Sequence, residues 1–589
     1  MKRLMTGNEA IARGAYEAGC KIASAYPGTP STEILENVSK YNEIYSEWST
    51  NEKVALEVAA GASIAGARAL VAMKHVGLNV AADPLFTISY EGVNGGLVII
   101  TADEPGMYSS QNEQDNRLYA NHAKVVMLEP SDSQECKDFV KLAFDISETF
   151  DTPVIIRVTT RVCHSKGIVE LNDRIDSPIR EYKKDIKKYI MVPAHAQLRH
   201  EIMEEDRIPK LKEMSNASSI NRIELNDSKI GIISSGICYN HAKDVFGDNV
   251  SYLKLGLTWP LPENLIRDFV SKVEKVYIIE ETEAYIENFI KAIGINCIGK
   301  EIFSVRGEIT PSIIKKVLLN QEFKPVYNLD SVLPNRPPAL CAGCPHRGIF
   351  YTIGRFRNKI DVTTDIGCYT LGMAPPLSVG DTLICMGAGI SAGIGFNKVN
   401  ELAERDKKVF GIVGDSTFFH SGITGLVDAV YNKSNMVHVI LDNRITAMTG
   451  HQENPGTGRN IKGIESPSID LEALIKSIGV KEDNIRVIDP YDMDANKEAV
   501  KDALKAEESF VIITKQPCAL LKDVMKARKG MHCEVNQEKC KRCKTCIRVG
   551  CPAISFRDDF IHIDTAQCNG CTVCLQVCPF NAIEEGKRC

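Results

Sequence analysis

Eight cysteines near the C-terminus form two runs with a spacing that suits iron–sulfur clusters. The second run, from Cys568 to Cys578, has the spacing C-x2-C-x2-C-x3-C and is followed by Pro579. Thiolates at this spacing hold a [4Fe–4S] cluster, which accepts and donates electrons one at a time. The first run, from Cys540 to Cys551, repeats the pattern with four residues instead of three before its last cysteine. This segment predicts electron transfer, so the rest of the chain must supply the electrons.

The repeat also predicts which cysteines share a cluster. In two-cluster ferredoxins the fourth cysteine of each run binds the cluster of the other run. The first predicted ligand set is Cys540, Cys543, Cys546 and Cys578, and the second is Cys551, Cys568, Cys571 and Cys574. Two structural zinc sites are the alternative, but cysteines at two-residue intervals, three in each run, do not have zinc-ribbon spacing. The longer gap contains Arg548, Val549 and Gly550, and we expect it to alter the potential or exposure of the second cluster.

A second motif lies where two predicted strands end. The apolar residues 410–413 lead into Gly414, Asp415 and Ser416, and the next apolar run ends at Asn443. A glycine at a strand end lets backbone N–H groups approach a phosphate. An adjacent carboxylate, with an oxygen ligand from the next strand, can then hold Mg²⁺ against a diphosphate. Asp415 alone would be read as a turn residue, but together with Asn443 it predicts a diphosphate–metal site.

This pair resembles the thiamine diphosphate motif, in which GDG is followed by an asparagine. The resemblance implies that Mg²⁺ is bound by the side chains of Asp415 and Asn443 and by the backbone carbonyl of Ile445. It also implies that the diphosphate is bound by the backbone of four successive residues, Gly414, Asp415, Ser416 and Thr417. Ser416 stands where the motif has its second glycine, which is a mild departure from the family pattern.

Two further stretches, "CAGCPHRG" and "DIGCYTLG", resemble parts of the same cofactor half-site in 2-oxoacid:ferredoxin oxidoreductases. By this resemblance the cofactor-binding residues include Cys344, His346, Gly367 and Cys368. An alternative remains open for the first stretch, because Cys341, Cys344 and His346 could form a separate metal site.

Thiamine diphosphate needs a carboxyl group against its aminopyrimidine ring. Glu52 and Glu57 are the two candidates, and both lie in the predicted helix of "NEKVALEVAAGASIAGA". Glu52 begins the helix, just past a strand end, where a side chain can point into a cleft. Its spacing from Gly61 is also similar to that in the pyrimidine-binding domains of this enzyme class. We therefore expect Glu52 to be the catalytic carboxyl group.

The substrate side of the predicted site rests on two loops. "AYPGTPSTE" is a tight turn before a helix start, and it resembles the YPxTP loop of 2-oxoacid:ferredoxin oxidoreductases. That resemblance implies that Thr29 faces the substrate carboxylate. "SSQNEQDNR" looks like the corresponding active-site loop and makes Arg117 a candidate substrate contact. Thr29 could instead belong to a simple turn, and Arg117 could be a surface residue.

The elements that must position these residues alternate between helix-like and strand-like segments. Such alternation predicts α/β domains with parallel sheets. The predicted organisation is a pyrimidine-binding domain (1–170), a charged linker (171–227), a small α/β domain (228–333), a diphosphate-binding domain (334–529) and a two-cluster ferredoxin-like domain (530–589). The predicted fold class is therefore multidomain α/β.

Composition narrows the function classes. The 589 residues carry a net charge of −6, with 44% hydrophobic and 25% charged residues, which is ordinary for soluble globular protein. Nucleic acid is not an expected partner. The chain also lacks the apolar N-terminal segment of a secretion signal and any apolar run long enough to span a bilayer. We expect a cytoplasmic protein without membrane attachment.

The order of these domains in one chain resembles the alpha-subunit type of the indolepyruvate:ferredoxin oxidoreductase family. The resemblance implies oxidation of an arylpyruvate with CoA to an aryl-acyl-CoA and CO2, with reduction of two ferredoxins. It implies thiamine diphosphate, Mg²⁺ and two [4Fe–4S] clusters as cofactors. The implied partners are a beta subunit carrying the gamma-type domain, which gives a dimer of heterodimers, and an external ferredoxin.

Two alternatives remain at this stage. The same chemistry could act on pyruvate, 2-oxoglutarate or a branched-chain 2-oxoacid, because no residue in the sequence fixes the side-chain pocket. A non-redox thiamine diphosphate decarboxylase would share Glu52, Asp415 and Asn443, but it would have no use for the cysteine runs.

Overall fold

The computed structural model describes residues 1–226, 229–322, 327, 333 and 337–586. It forms two compact units, Met1–Asp330 and Ser331–Cys589. The boundary between the units lies close to the predicted boundary at residue 334, whereas the boundaries predicted inside each unit stay predictions. None of the described helices is both long and apolar enough to cross a membrane.

The first unit contains a seven-stranded sheet, a four-stranded sheet and a two-stranded sheet. Its strands are β1 (Lys2–Thr6), β2 (Ile22–Ala25), β3 (Tyr45–Trp48), β4 (Ala69–Lys74), β5 (Leu97–Asp103), β6 (Val126–Leu128), β7 (Val154–Thr159), β8 (Lys166–Glu170), β9 (Arg222–Glu224), β10 (Ile230–Ser235), β11 (Ser251–Leu255), β12 (Leu257–Trp259) and β13 (Lys275–Ile279). Its helices are α1 (Gly7–Glu17), α2 (Thr32–Val38), α3 (Glu52–Ile64), α4 (His75–Val80), α5 (Ala82–Glu91), α6 (Arg117–Ala123), α7 (Ser133–Phe150), α8 (Thr160–His164), α9 (Ile186–Tyr189), α10 (Pro193–Ile202), α11 (Ile208–Ala217), α12 (Gly236–Phe246), α13 (Glu263–Val270), α14 (Tyr285–Ala292) and α15 (Pro311–Leu319).

The seven-stranded sheet is parallel except at one edge. Its strand order is β12-β6-β7-β5-β4-β2-β3, and only β12 runs antiparallel to its neighbour. Every residue of β4, β5 and β7 is buried, as expected for central parallel strands covered by helices on both faces. Strand β12 comes from the predicted small α/β domain, so that segment contributes directly to the first sheet.

The four-stranded sheet has the order β13-β10-β11-β9, with β9 antiparallel to β11. The predicted linker, residues 171–227, supplies β9 and the helices α9 to α11. Two of its arginines are buried against α5, since Arg199 donates to the Tyr90 carbonyl at 2.9 Å and Arg207 to the Ser89 carbonyl. This segment is therefore part of the packed unit rather than an extended connection.

The second unit contains a six-stranded, fully parallel sheet and two small antiparallel pairs. Its strands are β14 (Ile360–Thr364), β15 (Thr382–Leu383), β16 (Lys408–Gly414), β17 (Val437–Asp442), β18 (Ile485–Ile488), β19 (Phe510–Lys515), β20 (Cys533–Val535), β21 (Ile554–Arg557), β22 (Phe560–Ile563) and β23 (Ile583–Glu585). Its helices are α16 (His346–Gly354), α17 (Ala388–Leu402), α18 (Asp415–Thr417), α19 (Ile423–Tyr431), α20 (Leu471–Ile478), α21 (Met493–Lys505), α22 (Lys522–Ala527) and α23 (Val573–Gln576).

The six-stranded sheet has the order β15-β14-β16-β17-β19-β18 and carries a hydrophobic core on each face. The cysteine-rich segment pairs β20 with β23 and β21 with β22. In each pair, one strand flanks the first cysteine run and the other strand flanks the second run. This internal symmetry agrees with the sequence repeat.

Candidate functional site

The predicted diphosphate–metal residues lie at the carboxyl ends of neighbouring strands. Asp415 follows β16 and Asn443 follows β17, and these two strands pair directly. Asp415 and Asn443 are buried, and the Asp415 carboxylate accepts a hydrogen bond from the Asn454 amide at 3.0 Å. The two loops are also tied together, because the Thr446 hydroxyl donates to the Ser416 hydroxyl at 2.8 Å. The fold therefore brings together the residues that the motif predicted.

The charge balance at this edge fits a divalent cation. Burial, with a further contribution from the nearby Asp442 carboxylate, raises the pKa of Asp415 to about 7. Burial also raises the pKa of Asp442 itself. Both carboxyl groups line a cavity of about 180 Å³ beside Gly456. Asp442 already pairs with Arg444 at 3.3 Å, so a cation bound here would mainly stabilise the ionised form of Asp415. Carboxylate oxygens are ligands that suit Mg²⁺.

The glycines at this edge make room for a buried aromatic side chain. A Cβ atom on Gly414 would lie 2.7 Å from the Tyr369 ring, and one on Gly367 would lie 2.2 Å from it. The Tyr369 hydroxyl donates to Asp365, and the Thr417 hydroxyl lies 3.3 Å from the same Tyr369 oxygen. Burial raises the pKa of Asp365 to about 8. Both glycines are therefore required by the packing at the predicted diphosphate end.

Four cysteines outside the ferredoxin-like segment come close to one another. They are Cys341, Cys344, Cys368 and Cys518. The thiols of Cys341 and Cys368 are near enough to raise the pKa of Cys344, and the thiol of Cys518 is near enough to raise the pKa of Cys368. Burial raises the pKa of Cys344 to about 12 and that of Cys368 to about 11. Sequence reasoning placed Cys344 and Cys368 at the diphosphate cofactor and missed this grouping. Cys518 follows β19, and a lone cysteine after a strand gave no signal.

The side chain of His346 lies beside Asn443. Its ring contacts the Asn443 amide at 3.5 Å, and burial lowers the pKa of His346 to about 4. Among the described residues, no three His, Cys, Asp or Glu side chains are grouped closely enough for one metal ion. The structure thus places His346 beside the predicted Mg²⁺ ligand, so a single-ion site formed by Cys341, Cys344 and His346 together gains no support.

The ferredoxin-like segment groups its cysteines across the two runs. A small cavity is lined by all four members of the first predicted set, Cys540, Cys543, Cys546 and Cys578. In the second set, Cys571 lies within electrostatic range of Cys551 and Cys568. The Cys578 sulfur accepts a backbone hydrogen bond from Ala582 at 3.3 Å. A thiol-lined cavity with N–H donors to sulfur suits a cluster, so the geometry supports the crossed ligand scheme.

In the first unit, Glu52 begins α3 behind an Asn51 cap that accepts from the Val54 N–H at 2.9 Å. Glu52 is 5% exposed, and its carboxyl group lies against helix α4, where a Cβ on Gly77 would be 2.7 Å from it. Glu57 instead is exposed and forms an ion pair with Lys53 at 3.0 Å. The burial therefore favours Glu52 over Glu57 as the functional carboxyl group.

Thr29 is half-buried in the loop after β2, and sequence reasoning missed its neighbour Lys74. A Cβ on Gly28 would lie 3.0 Å from the Lys74 Cβ. Lys74 ends strand β4, donates to the Ser109 carbonyl at 2.9 Å and forms an ion pair with Glu104 at 3.2 Å. Burial lowers the pKa of Lys74. A lysine closing an otherwise apolar strand was the signal available in the sequence.

Arg117 lies in a buried charge cluster rather than at the surface. It is 1% exposed and donates to the carboxylates of Asp115 and Glu280, the latter at 2.7 Å. Arg157 pairs nearby with Asp103 at 2.6 Å. Burial opposes the charge of Arg117, yet the carboxylates, led by Asp115, raise its pKa. These contacts favour a structural role that ties strand β13 to the first sheet, and the predicted substrate contact stays a prediction.

Comparison with known proteins identifies three matching segments of the chain. Residues 13–222 match the family model "Pyruvate flavodoxin/ferredoxin oxidoreductase, thiamine diP-bdg". Residues 365–514 match "Thiamine pyrophosphate enzyme, C-terminal TPP binding domain", and residues 560–583 match "4Fe-4S binding domain". These matches confirm the predicted thiamine diphosphate and iron–sulfur segments.

Among solved structures, a 2-oxoglutarate:ferredoxin oxidoreductase from Magnetococcus marinus is 19% identical, with a TM-score of 0.46 over 54% of this chain and 65% of that one. Curated relatives are much closer. The chain is 40% identical to indolepyruvate oxidoreductase subunit IorA of Methanothermobacter thermautotrophicus, covering 100% of this chain and 98% of the relative. It is 41% identical to the subunit IorA of Pyrococcus horikoshii, covering 99% and 97%. The chain therefore belongs to the indolepyruvate oxidoreductase subunit IorA family, as its motifs predicted.

Proposed function

We propose that this chain catalyses the oxidative decarboxylation of indolepyruvate and related arylpyruvates with CoA. One arylpyruvate, one CoA and two oxidised ferredoxins give one aryl-acyl-CoA, one CO2, one proton and two reduced ferredoxins. The observation that carries the proposal is the presence, in one compact unit, of the buried Asp415 and Asn443 site together with the eight-cysteine segment. A decarboxylase without a redox step would need only the first of these.

Thiamine diphosphate, when bound, supplies a carbon nucleophile for the 2-oxo group and stabilises the carbanion left after CO2 departs. In this proposal Asp415, Asn443 and the Ile445 carbonyl hold Mg²⁺, and the backbone of residues 414–417 binds the diphosphate. Glu52 holds a proton at the aminopyrimidine ring, and its burial excludes water from that proton. Thr29, with Lys74 beside it, faces the substrate carboxylate.

The electrons leave one at a time, so the chain needs several one-electron carriers. The two predicted cysteine sets provide two [4Fe–4S] clusters. We propose that the grouped thiols of Cys341, Cys344, Cys368 and Cys518 hold an additional iron–sulfur cluster close to the diphosphate site. Their convergence from separate segments supports this, because four cysteines that meet at one place are the donor set that an iron–sulfur cluster needs.

Iron content tests the additional cluster. Three [4Fe–4S] clusters require about twelve iron atoms per chain, and two require about eight. Cys518→Ser should lose about a third of the iron, whereas Cys385→Ser, which changes an exposed cysteine of the same unit, should lose none. Equal iron in both variants would remove Cys518 from the ligands.

The external ferredoxin is proposed to dock beside the first cysteine set. Cys543 is exposed there, and so are Lys541, Arg542 and Lys544. Complementary charge would steer an acidic ferredoxin to this surface, and salt screens such steering over about 10 Å at 0.1 M. Reduction of ferredoxin should therefore slow as salt rises, while reduction of a small neutral dye should not. Lys541→Glu with Arg542→Glu should reproduce the high-salt behaviour at low salt.

The complete enzyme is proposed to contain a beta subunit with the gamma-type domain, in a dimer of heterodimers. The deciding assay is anaerobic and uses the purified complex with CoA, a dye acceptor and a panel of 2-oxoacids. Arylpyruvates should give the highest kcat/KM. A preference for pyruvate, 2-oxoglutarate or a branched-chain oxoacid would contradict the substrate assignment. Aldehyde formation without dye reduction would show that the enzyme is a non-redox decarboxylase.

A further inference from the structure

The turn between Cys341 and Cys344 touches the second cysteine set within the same unit. Gly343 has φ +65°, and a Cβ on it would lie 1.9 Å from the amide oxygen of Asn569. Asn569 is the residue after Cys568, a predicted ligand of the second cluster. The Gly343 carbonyl also accepts a hydrogen bond from the Tyr491 hydroxyl at 2.6 Å. The Cys341–Cys344 turn thus packs directly against the loop that carries Cys568.

Arg347 makes a second connection between the same two regions. Its side chain is 2% exposed. It donates to the Cys341 carbonyl at 3.0 Å and to the Leu340 carbonyl on one side. On the other side it donates to the Val549 carbonyl at 3.2 Å and to the Gly550 carbonyl. One buried guanidinium therefore binds backbone from both regions.

The partners of Arg347 lie in the unusual part of the first cysteine run. Val549 and Gly550 belong to the four-residue gap before Cys551, and Cys551 is a predicted ligand of the second cluster. Gly550 has φ +71°, a backbone conformation that favours glycine. A Cβ on Gly550 would lie 3.3 Å from the Arg347 guanidinium. The lengthened gap thus supplies two consecutive carbonyls that face this arginine.

These contacts also distinguish the two predicted sets. The set with Cys551 and Cys568 lies against the Cys341–Cys344 turn, whereas Cys543 of the other set is exposed. Electrons from the diphosphate site would therefore enter the set with Cys551 and leave through the set with Cys543.

We propose that Arg347 is the positioning residue that holds the second cysteine set against the Cys341–Cys344 turn, so that electrons cross between them. The carbonyls of Val549 and Gly550, in the lengthened gap before Cys551, accept the hydrogen bonds of Arg347 on that side. We call this set of contacts the clamp. The inference rests on the proposed function for its redox step, but the clamp itself is a structural contact that can be measured without turnover. One electron crosses at a time, and it reduces an oxidised cluster of the second set.

Arginine suits this role because its planar fork presents several N–H donors in fixed directions. Loss of one hydrogen bond to a charged group corresponds to roughly a ten- to hundredfold shift in an equilibrium. Arg347→Met keeps the apolar stem and removes these donors, so the two regions should separate more often. Electron transfer falls steeply with distance, so a lasting increase in the mean separation of the two regions should slow it.

The experiment compares variants of the purified holoprotein with its beta subunit. Arg347→Met removes the clamp, Arg347→Lys keeps the charge without the fork, and Gly343→Ala pushes Asn569 away sterically. Arg355→Met is the matched control, because Arg355 is exposed just past the same helix. Hydrogen–deuterium exchange is followed in peptides spanning 545–552 and 568–577. Rapid mixing with oxoacid follows CO2 release and cluster bleaching separately, and electron paramagnetic resonance of the reduced protein reports magnetic coupling between clusters.

We expect Arg347→Met and Gly343→Ala to exchange roughly tenfold faster in both peptides. Both variants should also bleach more slowly than the control, with CO2 release unchanged. Arg347→Lys should lie between them and the control, and the coupling signals should weaken in the same order. If both variants exchange at the control rate, the proposed contact is wrong. If Arg347→Met does not fold, Gly343→Ala still tests the contact. Faster exchange with unaltered bleaching would overturn the electron-transfer role. If the protein oxidises no 2-oxoacid, the proposed function is wrong. The exchange data still show whether Arg347 holds the two regions together.

Discussion

Replacing Arg117 by methionine decides between a structural and a substrate-binding role for this residue. In the structure the guanidinium binds Asp115 and Glu280, and both carboxylates are no more than 1% exposed. Methionine fills much of the same volume, but it leaves Glu280 without its cation and Asp115 with only Arg157, at 3.7 Å. We therefore expect the first unit to lose stability even when no substrate is present.

The magnitude follows from the burial and from the number of carboxylates. Removing one partner of a buried ion pair costs about 3–5 kcal/mol, and here two carboxylates lose the same partner, so the upper end applies at pH 8. Without Arg117, burial raises the folded-state pKa of Asp115 above its value in the unfolded chain, and the pKa of Glu280, which burial already raises, rises further. Stability then increases as pH falls toward those unfolded values, because the carboxyl groups become neutral. The loss should therefore be smaller at pH 5 than at pH 8.

Native-state hydrogen exchange of amides in β5, β7 and β13 measures this loss locally. Arg161→Met is the control, because Arg161 pairs with Glu308 at 2.6 Å but its side chain is 44% exposed. Exposed pairs contribute about 0–1 kcal/mol, so the control should change little. Arg117→Lys keeps the charge without the fork and should give an intermediate loss with an unchanged KM for the oxoacid. Unchanged protection in Arg117→Met, together with a higher KM in Arg117→Lys, would show that the reasoning is wrong.

Three further predictions concern the site and the core. Asp415→Ala should abolish retention of thiamine diphosphate, and cofactor still co-purifying with the variant would contradict its metal-binding role. Gly77→Ala should push the Glu52 carboxyl group aside and lower kcat/KM by about 10²-fold without unfolding α4, since displacement by about 1 Å costs that much. His438 is buried, with a pKa lowered to about 3 by burial, so β17 should lose about 2 kcal/mol of stability between pH 6.5 and pH 5 as the unfolded histidine takes up its proton. His438→Leu should remove that loss in hydrogen exchange, and parallel profiles for the two proteins would refute it.

The diphosphate site could be predicted because its signal is local. Asp415 and Asn443 each follow an apolar strand, and neighbouring parallel strands place their carboxyl ends at one edge. The crossed cysteine sets could be predicted for a similar reason, since a duplicated spacing is visible in the sequence alone. Glu52 was distinguishable from Glu57 by its place at a helix start, and its burial agrees with that choice.

The residues that sequence reasoning missed depend on contacts between distant segments. Cys518 joins Cys341 only because β19 and the loop before α16 meet in the fold, and neither segment has a repeat that reveals it. Arg117 lies in a polar stretch that is typical of a surface loop, yet Glu280, from another sheet, buries it. The role proposed for Arg347 likewise depends on backbone carbonyl groups, and the sequence does not show which carbonyl groups face a given side chain.

Strand β12 constrains how the chain can be made and divided. It contributes only Leu257–Trp259, but it covers the outer edge of β6. During synthesis the ribosome must release these residues before that edge is paired, so the first sheet stays open while residues 160–256, roughly a third of the first unit, emerge. An unpaired strand edge is a template for aggregation. A fragment ending near residue 170 should therefore self-associate, and a gene split at that point would separate a sheet from its own last strand.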